Sequence, residues 1–146
     1  MKRFLTLALT AVLLCTLMLS LASCSAYGKI EKNFVGAGYE VVNTENEDGD
    51  DVLDFVADLE EDGEVSCTVH ILKKSIGTYA IVLEFGADKD AQAKLDELLT
   101  DEDYKDFMEL DEKANFIRGN CVLVPFTLNI FDAKNTVQEM VDLFNK

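Results

Sequence analysis

Residues 65–85 read VSCTVHILKKSIGTYAIVLEF. From Val65 to Lys73 the residue type alternates: Val65, Cys67, Val69 and Ile71 share one face, Ser66, Thr68 and His70 the other. A period of two marks a half-buried strand, because successive side chains leave a pleated backbone on opposite sides. Ser75-Ile76-Gly77 supplies a turn. Thr78–Phe85 is rich in β-branched and aromatic residues and forms the return strand, which Gly86 breaks. A hairpin is antiparallel by construction, so this stretch sets the fold class.

Downstream, Asp88–Leu99 reads as a helix with the apolar stripe Ala91, Leu95, Leu98 and Leu99, and with Asp88 and Asp90 at its positive end. A second strand pair is expected at Phe107–Ile117 and Cys121–Leu128, joined by a turn at Arg118-Gly119-Asn120. The last helix spans about Ala133–Phe144, with Asp132 as N-cap and the stripe Ala133, Val137, Met140, Val141 and Phe144. A shift of 42 residues lays Gly77 on Gly119, Asp90 on Asp132 and one helix stripe on the other. Duplication of a strand-turn-strand-helix unit explains this; so does ordinary α+β packing.

Upstream, Tyr27, Ile30 and Phe34 fall on one helix face, Gly36 and Gly38 offer a C-cap, and Tyr39–Asn43 reads as a short strand. Glu45–Glu64 holds eleven acids and no base; within it Val52, Phe55, Val56 and Leu59 have helical spacing, so a mobile acidic loop (Glu45–Asp51) followed by a short helix is expected. The expected fold is α+β: one domain over residues 30–146, an antiparallel sheet of about five strands, and amphipathic helices on one face. The face bearing Ser66, Thr68 and His70 is then open to a protein or peptide ligand.

The chain has 28 Asp plus Glu against 13 Lys plus Arg, a formal charge of −15. Such a surface is repelled by nucleic acid and by anionic headgroups, so nucleic-acid binding is discounted.

The N-terminus carries the most specific pattern. Lys2 and Arg3 precede an uncharged, Leu-rich run from Phe4 to Leu21, which ends in Leu21-Ala22-Ser23-Cys24. A positive start, an apolar middle and a small-residue end is the plan of a secretory signal peptide. The ending resembles the lipobox of bacterial lipoproteins. That resemblance implies a diacylglyceryl group on the Cys24 thiol, cleavage after Ser23, a tether over residues 24–29, and attachment through lipid to the outer face of the cell membrane. Two acyl chains hold a protein stably where one does not. Removing residues 1–23 leaves 11 basic residues and a charge of −17. Ordinary cleavage and an uncleaved anchor are the competing readings; all three place the domain outside the cytoplasm. The Gly38–Val41 segment (Gly-Tyr-Glu-Val) and the strand-Phe85-Gly86-helix junction are loosely similar to small lipoproteins of Gram-positive anaerobes, a likeness that implies no activity.

Cys15 lies in the apolar run and Cys24 takes the lipid, which leaves Cys67 and Cys121. Export permits a disulfide between them, although Cys67 sits on a core face, where a thiol behaves as a small hydrophobe. His70 is the only histidine, so any Ser-His or Cys-His catalyst must use it. Cys67 is three residues away along a strand and therefore on the opposite face. Zinc needs more His or Cys than the mature chain brings together. Asp58-x-Glu60-x-Asp62-Gly63 imitates the start of a calcium loop, but Val69 stands where the closing Glu belongs. No catalytic set, metal site or cofactor is assigned. A non-enzymatic binding or accessory module is the expected role; a small carboxylate-dependent envelope hydrolase is the alternative.

Overall fold

The computed structural model describes residues 25–42 and 67–146. Five strands form one antiparallel sheet: β1 (Glu40–Val41), β2 (Cys67–Ser75), β3 (Thr78–Phe85), β4 (Ile117–Arg118) and β5 (Cys121–Thr127), in spatial order β1-β2-β3-β5-β4. Four α-helices accompany it: α1 (Ala26–Gly36), α2 (Asp88–Leu98), α3 (Glu102–Met108) and α4 (Ala133–Asn145). The α+β class and the five-stranded antiparallel sheet are as expected. The segment Glu45–Glu64, with its acidic loop, short helix and calcium-loop imitation, lies outside the described residues.

The hairpin forms as read. β2 and β3 pair from Cys67↔Phe85 to Ser75↔Thr78, with one irregularity between Lys73 and Ser75. Gly77 closes the turn at φ +76°, a conformation that a Cβ penalises. β3 also pairs with β5, from Thr78↔Thr127 to Glu84↔Cys121. The connection from β3 to β5 passes through α2, α3, a 3₁₀ turn at Lys113–Phe116 and the two-residue β4.

Burial corrects the expectation that helices lie on one face. Tyr79–Leu83 and Cys121–Pro125 are buried at every position. Consecutive burial requires cover on both sides, since neighbours point oppositely. On one face lie α1 and α4. Tyr27 of α1 stacks on His70, Lys74 meets Glu139 of α4 at 2.5 Å, and Arg118 donates through Nη1 to the Phe144 carbonyl at 2.7 Å. On the other lie α2 and α3; Phe107 of α3 packs on Phe126, which in turn meets Tyr79. The open sheet face proposed for a protein or peptide ligand is therefore filled by α1 and α4. The physical cause is legible: β3 and β5 are continuous apolar runs, and their second face also had to be hidden from water. The one proline, Pro125, sits beyond the rungs that β4 contributes to β5, where a missing N–H costs least.

The second strand pair is also corrected. Only Ile117 and Arg118 of the expected Phe107–Ile117 strand are extended. Tyr104 and Met108 are buried at helical spacing in α3, and the residues between them do not alternate. The 42-residue correspondence holds at the turns, where Gly77 and Gly119 both have positive φ. It fails in the architecture. The two-fold rotation relating adjacent antiparallel strands is perpendicular to the sheet and would place both helices on the same face, whereas α2 and α4 lie on opposite faces.

Helix ends follow from local chemistry. Ser25 N-caps α1, its hydroxyl accepting from the Gly28 N–H at 3.1 Å, so residues 26–29, expected as tether, are helical. At the other end Gly38 has φ +90°, and the Tyr39 and Gly38 N–H groups reach the Phe34 and Val35 carbonyls at 3.0 Å, a Schellman-type stop. Asp132 occupies the N-cap of α4 but makes no side-chain cap bond; its carboxylate accepts from Asn135 Nδ2 at 2.6 Å.

The β2–β3 turn is held against the end of β5. The Leu128 N–H donates to the Gly77 carbonyl at 2.8 Å, and a Cβ on Gly77 would stand 2.9 Å from Leu128 Cδ1. Gly77→Ala should therefore cost about 2 kcal/mol, lowering the melting temperature by roughly 5–10 °C. Gly36→Ala, with open space around its Cβ, should be neutral or stabilising by up to about 1 kcal/mol. Equal melting temperatures for the two variants would contradict this packing.

Candidate functional site

Two regions stand out among the described residues, one at each end of the sheet. At the first end, strand register places His70 opposite Val82 and Thr68 opposite Glu84, so His70 and Glu84 are diagonal neighbours on the α1/α4 face. His70 Nε2 lies 3.0 Å from Glu84 Oε2, and its ring stacks on Tyr27 with centroids 3.4 Å apart and planes within 11°. Cys121 is opposite Glu84 across the β3–β5 ladder and is fully buried. Tyr27, His70, Glu84 and Cys121 thus form one cluster where α1 begins. Sequence spacing did not bring Cys121 to His70; only the β3–β5 pairing does.

The electrostatics oppose nucleophilic chemistry. Burial, with the Glu84 carboxylate adding to it, pushes the Cys121 thiol up to about 12, against a weaker pull from Arg118. A reactive cysteine needs cationic neighbours that favour the thiolate. Burial and the nearby Glu31 and Glu84 carboxylates likewise hold the Tyr27 phenol above its ordinary range. The cluster's geometry suits clamping instead: the His70 ring fills the space under the first turn of α1 while its nitrogen is satisfied by Glu84.

Cys67 and Cys121, which were expected to be able to pair, are not bonded to each other. β3 lies between their strands, which puts their backbones about 9–10 Å apart, beyond disulfide reach. They also face opposite ways: Cys67 pairs with Phe85, whereas Cys121 pairs with Glu84. The same alternation keeps Cys67 off the His70 face, as the strand reading required. Cys24 lies outside the described residues; Ser25, the N-cap of α1, is the next in the chain.

No group of three or more His, Cys, Asp or Glu side chains suited to a metal occurs among the described residues. No helix among them is long and apolar enough to cross a membrane.

The second region is an apolar apex at the other end of the sheet. Ile76, from the β2–β3 turn, is 92% exposed. From the segment after β5, Leu128, Ile130 and Phe131 are exposed at 59%, 75% and 97%. The Leu128–Gly77 contact joins the two loops. The second is folded on itself: the Asn129 N–H donates to Thr127 Oγ1 at 3.1 Å, and the Ile130 and Asp132 N–H groups reach the Leu128 and Asn129 carbonyls at 3.2 and 3.3 Å. Ser75–Gly77 and Thr127–Phe131 contain no charged residue, in a chain of net −15. The hydrophobic residues at this apex had no periodic signal, and only the β3–β5 pairing brings the Gly77 turn against Leu128.

No family model, curated protein or solved structure matches this chain.

The shifted thiol and phenols set an alkaline limit. Cys121 is raised from 9.0 to about 12, and Tyr27 and Tyr39 are raised from 10.0, burial being the first cause in each. These groups keep their protons in the fold and lose them earlier in the unfolded chain. Their stabilisation is complete below pH 9, and is lost as pH rises from there through the folded values. Unfolding free energy should fall above pH 9 by up to about 1.4 kcal/mol per pH unit for each group in play. Cys121→Ala should flatten the pH 9–10 part of that curve, measured by urea titration. An unchanged slope would contradict the burial of an intact thiol.

Proposed function

We propose that this chain is an exported lipoprotein, held at the outer face of the cell membrane by a diacylglyceryl group on Cys24, and that its domain is a non-enzymatic binding or accessory module. The observation that carries the reading is the junction at Ser25. The lipobox-like Leu21-Ala22-Ser23-Cys24 ends one residue before the N-cap of α1. After cleavage no tether remains between lipid and fold, so the domain stands directly on the bilayer.

The junction also orients the domain. A Cβ on Gly119 would lie 3.8 Å from the Ala26 Cβ, so α1 begins beside the β4–β5 turn, at the end of the sheet where β3 finishes and β5 starts. The apex lies beyond Thr127, seven residues along β5, or about 20 Å away. Lipid on Cys24 therefore holds the β4–β5 turn near the membrane and presents the apex outward. A charge of −17 keeps the domain from spreading onto anionic lipid. The raised Cys121 thiol argues only against a thiol nucleophile at this cluster; a small carboxylate-dependent envelope hydrolase remains the alternative reading.

Cys24→Ala should abolish incorporation of a clickable palmitate analogue into the chain. Cys15→Ala should leave it unchanged. Labelling that persists in Cys24→Ala would overturn the reading.

A further inference from the structure

We draw no further inference here: the strongest candidate, the exposed apolar side chains of Ile76 in the β2–β3 turn and of Leu128, Ile130 and Phe131 after β5, carries none, because nothing in the structure shows what covers them.

Discussion

Everything else in the domain is arranged around the ladder between β3 and β5. Its seven rungs run from Thr78↔Thr127 to Glu84↔Cys121, and Tyr79–Leu83 and Cys121–Pro125 along them are buried at every position. A two-sided ladder must be covered twice, and four amphipathic helices are the consequence. α1 and α4 close one side with Tyr27, Ile30, Phe34, Val137, Met140 and Phe144; α2 and α3 close the other with Ala91, Leu95, Leu98, Tyr104 and Met108. Burial of this apolar surface is the main stabilising term. The polar contacts that cross the layers, such as Lys74–Glu139 and Arg118 to the Phe144 carbonyl, fix orientation more than they add energy.

The ladder also gives the domain two unlike ends. At one, α1 starts from its Ser25 cap, and Tyr27, His70, Glu84 and Cys121 lock it to the sheet. At the other, two short loops joined through Gly77 and Leu128 carry apolar side chains into solvent. At the first end the His70 ring is held between the Tyr27 ring and the Glu84 carboxylate. The second has no packing reason to be apolar: none of its four exposed side chains is part of the core.

Much of the fold was legible because local patterns were strong. Alternation at Val65–Lys73 and the Gly77 turn revealed the hairpin, and the stripes of α2 and α4 were visible at helical spacing. Strand β4 and helix α3 were not, because a two-residue strand and a seven-residue helix are too short to establish a period. The two-sided sheet was present as the unbroken runs Tyr79–Leu83 and Cys121–Pro125, a signal that the alternation of β2 overshadowed. The helical status of residues 26–29 turned on one hydrogen bond from Gly28 to Ser25. The clamp and the apex depend on which strands are neighbours. Cys121 reaches Glu84, and Gly77 reaches Leu128, only through the β3–β5 pairing, which residue spacing does not encode.

The orientation that links these ends can be measured directly. The lipidated chain is reconstituted into phosphatidylcholine vesicles with a fluorophore at Lys29 or at Ile76, and quenching by nitroxide-labelled lipid is compared. Strong quenching at Lys29 with little at Ile76 is the result expected of a domain seated on its Ser25 end with the apex outward. Quenching at Ile76 equal to or stronger than that at Lys29 would mean that the apex lies in the bilayer, and would contradict the arrangement at its root.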